Sequence, residues 1–159
     1  MTSTLRMTGE LDPRDSWSAG ASCSIAGTVE LLATRSAFVL MREAFYGATR
    51  FEEFVRRAEL SEPTASARLH ELVDHGLLGL EPYQEPGQRT RNRYLLTEKG
   101  ADLFPVIVSL MQWGNRWLSD TGGPAKLLHR GCGATVRTEL RCEHGHHVEL
   151  ADLDLAATG

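Results

Sequence analysis

From Ser24 onward, apolar residues recur at helical spacing. Ile25, Val29 and Leu32 stand at i, i+4 and i+7 and predict a short first helix. Phe38, Met41 and Phe45 predict a second, which Gly47 is placed to end. Thr49 and Glu52 have the T-x-x-E spacing of a capping box. They predict a third helix that carries Phe51, Phe54 and Val55 and runs out near Ala58. Ser61 then offers an N-cap, and Pro63 sits in the first helical turn, where its missing N–H costs nothing. Ala65, Leu69, Leu72 and Val73 share one face of this fourth helix, which stops at Gly76. Two helices joined by a short turn, the second strongly capped, are the signature of a helix-turn-helix, although any small helical hairpin has similar spacing.

After Gly76 the period changes. Leu77–Tyr83 and Arg91–Thr97 are apolar-rich extended runs around the turn Gln84-Glu85-Pro86-Gly87-Gln88. Tyr94 and Leu96 share one face of the second run, while Arg91 and Arg93 face the other way. A β-hairpin directly after such a helix pair is a wing, and its arginines are placed to reach phosphate or the minor groove. Thr97 is expected to cap a long helix reaching about Leu118, with Pro105 kinking it or marking its regular start. Leu103, Ile107, Leu110, Gly114 and Trp117 form one apolar seam on this helix, Phe104, Val108 and Met111 a second, and Trp113 adds a third side. A helix apolar on several sides needs two packing partners, and a second protomer is the economical source of one.

Both ends of the chain read differently. Residues 1–22 are polar and lack a sustained period, as expected of a flexible arm. Beyond Gly122-Gly123-Pro124, the alternation in Thr135–Leu140 and Val148–Leu150 favours two short strands. The organisation expected is therefore an arm over 1–22, a winged helix-turn-helix with its dimerisation helix over 23–118, and a small hairpin tail over 119–159. The fold class is mainly α with a small β-hairpin wing.

Composition adds limits. At 159 residues, with 42% hydrophobic and 24% charged, the chain has room for one principal domain and a disulfide-free core. No apolar window approaches the roughly eighteen residues of a membrane span, and no secretory leader is expected. Three cysteines, an odd number, suit a reducing cytoplasm. The net charge of −4 disfavours bulk polyanion binding. Residues 23–118 hold eleven basic and twelve acidic side chains, yet Gln88–Arg93 contains three arginines and no acid. DNA binding would rest on that local stripe.

Taken in order, Cys23, Arg42-Glu43, Gly47, Arg50-Phe51, Leu60-Ser61 and Ser66-x-Arg68-Leu69-x-x-Leu72 form the first part of a recognisable series. His75-Gly76-Leu77, Arg91-x-x-Tyr94-x-Leu96-Thr97-Glu98-Lys99-Gly100 and Trp113-Gly114-x-x-Trp117 complete it. In this ordered combination the chain resembles the HxlR-type winged helix-turn-helix transcription regulators of bacteria. The resemblance implies a homodimer on inverted-repeat operator DNA, more often a repressor, with recognition helices in successive major grooves. The DNA-contact candidates are Arg50, Ser61, Thr64, Ser66, Ala67, Arg68, Arg89 and Arg91. Thr64 and Ala67 lie opposite the core face and can touch base edges or a thymine methyl. Arg68 could reach DNA or pair with Glu71 or Asp74. The dimerisation candidates are Leu103, Ile107, Leu110, Met111, Gly114 and Trp117. The chain departs from the family in two places: proline at 63, often basic, and Ala33-Thr34-Arg35-Ser36, which lacks the usual tryptophan.

Cys23 stands at a helix N-terminus, where the dipole favours thiolate, and the family includes members that sense oxidants or electrophiles there. A buried structural cysteine is the other reading. In the tail, His129 and Cys132 followed by Cys142, His144 and His146 could ligate zinc, or the histidines could be incidental to a hairpin; Gly145 stands where relatives with this tail tend to have cysteine. No cofactor is required by the leading reading, a DNA-binding regulator open to a small-molecule or oxidant effector. A small metal- or redox-dependent enzyme built on the tail is a second class, though no phosphate loop or nucleophile elbow supports it. A winged helix used for protein contact is the third.

Overall fold

The structure, a computed structural model, describes residues 4–157 except 14, 16, 17, 19, 21, 22 and 33. It divides into two compact units, Thr28–Ala125 and Met1–Gly27 with Lys126–Gly159. Helix α1, Ser24–Leu31, runs across that division.

In the larger unit, α2 (Arg35–Phe45), α3 (Phe51–Ala58) and α4 (Glu62–Asp74) pack around one core. Leu40, Met41, Phe54, Leu69 and Leu72 are sealed from solvent there, together with Leu32. The first helix does not supply its predicted face. Leu32, just past its end, is buried, whereas Ile25 and Val29 are exposed. Each of the next three helices has a local cause. Thr34 caps α2 by accepting from the Ala37 N–H, and Gly47 leaves it with φ +86°. Ser61 caps α4 through the Thr64 N–H, and Pro63 lies in its first turn. At α3 the capping pair is one residue later than its spacing suggests. Arg50 is the N-cap, and the Glu53 carboxylate reaches back to the N–H groups of Thr49 (2.9 Å) and Arg50 (3.1 Å). These bonds, that of Thr49 first, hold Glu53 below the ordinary glutamate range; Arg57 and Arg50 add to them and burial opposes. Glu52 is thereby left on the surface.

Strands β2 (Leu78–Tyr83) and β3 (Arg91–Leu96) form an antiparallel hairpin, with Leu78 opposite Leu96 and Tyr83 opposite Arg91. Tyr94 packs edge-on against Phe54, and burial raises its phenol pKa. The Thr97-Glu98-Lys99-Gly100 run fastens the hairpin exit to the end of α4. Thr97 Oγ1 donates to the Gly76 carbonyl at 2.6 Å and accepts from the Gly100 N–H; Lys99 Nζ donates to the His75 carbonyl at 2.8 Å. A side chain at Gly100 would place its Cβ 2.0 Å from the Leu77 carbonyl oxygen, so only glycine lets the two backbones meet.

The single long helix expected from Thr97 is broken. A short α5, Glu98–Ala101, is followed by α6, Phe104–Trp117, with Pro105 in its first turn. Proline marks the regular start because it lacks the N–H a continuous helix would need there.

In the smaller unit, part of the segment expected to be a flexible arm is a strand. Arg6–Met7 (β1) pairs in parallel with Asp154–Leu155 (β6), and Arg6 clasps Asp154 at 2.7 and 2.6 Å. That arginine holds the Asp154 carboxyl below its ordinary value. Leu140–Arg141 (β4) and His147–Val148 (β5) form a short antiparallel pair, and Leu128 bridges to Thr135. Here Leu11 is buried, while Leu128, Leu140 and Leu150 are exposed. Among the described residues, no single helix is long and apolar enough to cross a membrane.

Candidate nucleic-acid interface

The buried face of α4 is Ala65, Leu69 and Leu72, so the helix presents the opposite side outward. Pro63, Thr64, Ala67 and His70 are exposed there, and Ser66 and Arg68 are half-buried on the flanks. Ser61 is exposed, but its hydroxyl is engaged in capping and lies 2.8 Å from that of Thr64. Arg68 is turned along its own helix onto Glu71, the second of the two roles open to it. Arg89 is exposed in the hairpin loop.

Sequence reasoning missed the carboxylates that meet the arginines. Arg91 Nη1 lies 2.6 Å from Glu52 at the start of α3, and Arg50 Nη2 lies 2.7 Å from Glu85 in the wing loop. Arg50 also covers the Tyr83 ring, 5.2 Å from its centroid. Arg93 pairs with Glu81 at 2.6 Å, its partner in the hairpin register. That last pair is readable from the turn, since counting outward from the loop sets Glu81 opposite Arg93. The other two join residues from different elements, and no local spacing reveals them. The arginine stripe is therefore largely compensated in charge, and the wing is tied to the opening of α3. A backbone bond from the Tyr94 N–H to the Thr49 carbonyl at 2.8 Å completes that tie.

The candidate dimerisation seam divides. Leu103 and Ile107 pack against the chain's own core, and Val108 is buried. Phe104 meets Phe45 with ring centroids 5.0 Å apart, which sets the rotation of α6. Met111 and Gly114 are half-buried. The side left uncovered carries Val106, Leu110, Trp113 and Trp117, exposed by 43%, 50%, 57% and 62%. These residues stand at i, i+4, i+7 and i+11, the spacing of a helix–helix contact. Leu103 and Ile107 thus leave the candidate seam, and Val106 and Trp113 enter it.

Cys23 is half-buried, and its Sγ accepts from the Ala26 N–H at 3.4 Å. In the tail, His129 Nδ1 lies 3.2 Å from Cys132 Sγ, and the rings of His144 and His146 are 6.4 Å apart. Among the described residues, no three His, Cys, Asp or Glu side chains converge as a metal site.

The sequence matches the profile of HxlR-like helix-turn-helix proteins over residues 31–121. The chain belongs to the HxlR-like helix-turn-helix family. An uncharacterized HTH-type transcriptional regulator of Mycobacterium tuberculosis is 41% identical to it over 122 residues, 76% of each chain. Among solved structures, this HxlR-like chain is similar to PA1607, assigned as a transcription factor. That similarity has a TM-score of 0.74 at 31% identity, over 86% of this chain and 96% of the other. It is also similar to the redox regulator HypR in its reduced form, with a TM-score of 0.52 at 26% identity over 59% and 94% of the two chains. The family and these relatives are transcriptional regulators, not enzymes, which removes the metal- or redox-dependent enzyme from consideration. The mainly α, winged helix-turn-helix reading stands.

Proposed function

We propose that this HxlR-like regulator binds inverted-repeat operator DNA in the cytoplasm as a homodimer and represses transcription. The observation that carries the reading is the exposed leading side of α4, with Thr64 and Ala67 outward, on the same unit as a wing bearing Arg89 and Arg91. The helix would enter the major groove while the arginines take phosphate or the minor groove. Arg50, Ser61, Ser66 and Arg68 complete the contact set, Ser61 by capping the helix and Arg68 after leaving Glu71. The exposed side of α6 would join the two protomers and so fix the spacing of the half-sites.

The test is retention of DNA from upstream of its gene against scrambled DNA across a salt series. Specific retention, weakened by Arg91→Ala with a salt slope shallower by about one, is expected. Equal binding to both fragments at every salt concentration would remove the operator reading.

For the effector, the likeness to a redox regulator supports an oxidant signal, and Cys23, half-buried just before α1, is the thiol proposed to sense it. Diamide is expected to release wild-type protein from DNA and to leave Cys23→Ser bound; release of both alike would exclude Cys23.

A further inference from the structure

Two ion pairs between the wing and the opening of α3 use the guanidinium groups a phosphate backbone would need. Arg91 and Glu52 are exposed by 54% and 56%, and Arg50 and Glu85 by 49% and 40%. Neither pair is a buried structural bridge, and each stands where a long polyanion could reach it. A carboxylate oxygen 2.6 to 2.7 Å from a guanidinium nitrogen occupies the place a phosphate oxygen takes in a charge-assisted bond. We infer that Glu52 and Glu85 act as internal stand-ins for DNA phosphate, limiting the affinity of the winged helix for any duplex.

Accepting a phosphate at Arg91 or Arg50 exchanges one anionic partner for another. The displaced carboxylate then lies beside the incoming phosphate as a like charge, and it regains a counterion when its arginine leaves. The repulsion opposes binding directly, and the counterion taken up lowers the net gain from counterion release. The outcome is sequence-independent, because backbone contacts position the protein and do not read bases. Arg50 and Arg91 thereby stay paired until a duplex also offers contacts to α4. Arg93 and Glu81, opposite each other within the hairpin, need not part for DNA to bind and are left out of this role.

The inference rests on the DNA-binding reading, and one experiment separates them. Wild type, Glu52→Gln, Glu85→Gln and Asp120→Asn are titrated across a salt series with a duplex of random sequence and with DNA from upstream of the gene. Asp120, an exposed residue beyond α6, makes the same charge change outside the helix-turn-helix and wing. Thermal melting of each variant verifies folding. Each Gln variant is expected to bind both duplexes about three- to fivefold more tightly than wild type, with a salt slope steeper by about one. Unchanged or weaker binding by folded Gln variants, beside a wild type that does bind, would overturn the inference and leave the DNA reading standing. An equal gain in Asp120→Asn would also overturn it, by tracing the effect to net charge. A wild type that binds neither duplex, even at low salt, would defeat the DNA reading and take the inference with it.

Discussion

Glu53 connects one carboxylate to the geometry of a whole helix opening. Its two bonds from the N–H groups of Thr49 and Arg50 are stronger to the ionised carboxylate than to the neutral acid, and they depress its pKa. A depressed folded value means a contribution to stability that is complete above the ordinary glutamate range and disappears as pH falls through the folded value. Glu53→Gln should cost about 1 kcal/mol at neutral pH, since the neutral amide accepts less strongly and no longer places a negative charge at the positive end of the helix dipole. It should also lose less stability than wild type on acidification. Urea midpoints at neutral and acid pH measure both, and parallel losses in the two proteins would remove Glu53 as a source of the acid sensitivity. Gly100 works at the same scale without charge, through a backbone approach that leaves no room for a Cβ.

Among the elements, those most legible from sequence are the ones whose causes are local. Helix α4 is fixed by Ser61, Pro63 and the buried positions Ala65, Leu69 and Leu72, all within twelve residues of one another. The wing follows from its Pro-Gly turn and alternation, and its register then places Glu81 against Arg93. The break between α5 and α6 was half-legible, since Pro105 allowed either a kink or a start. Less legible was whatever depends on how distant elements meet. Glu52 and Glu85 find Arg91 and Arg50 only after the wing folds back on α3. Likewise, Leu103 and Ile107 have the spacing of an interface, but the contact of Phe104 with Phe45 turns them inward. Spacing along one helix identifies faces; only packing decides which face is already taken.

For the whole molecule, the uncovered side of α6 sets the main expectation. Covering Leu110, Trp113 and Trp117, exposed by 50%, 57% and 62%, against a second copy would remove that remaining apolar surface from water, a gain set against the entropic cost of association. Because these side chains are exposed in the single chain, Trp113→Arg should preserve the fold and separate the protomers. Light scattering beside thermal melting tests this. A wild type that is monomeric at micromolar concentration would remove the dimer, and a Trp113→Arg protein that stays dimeric would place the contact elsewhere. Loss of the dimer should also cost operator affinity disproportionately, since two weakly held half-sites then bind independently.

The pairing of β1 with β6 has a consequence for the order in which the chain assembles. Arg6 and Asp154 are 148 residues apart in sequence, yet among the described residues their strands share a two-residue register, an exposed ion pair and the bonds of Thr8 to the Leu155 carbonyl. Closing so long a loop in an unfolded chain carries an entropic cost that so small a contact cannot offset. Once the intervening residues have condensed, most of that cost has already been met. The strand pair is thus expected to form late and to open early, which amide exchange at the Thr8 N–H, 3.0 Å from the Leu155 carbonyl, would register.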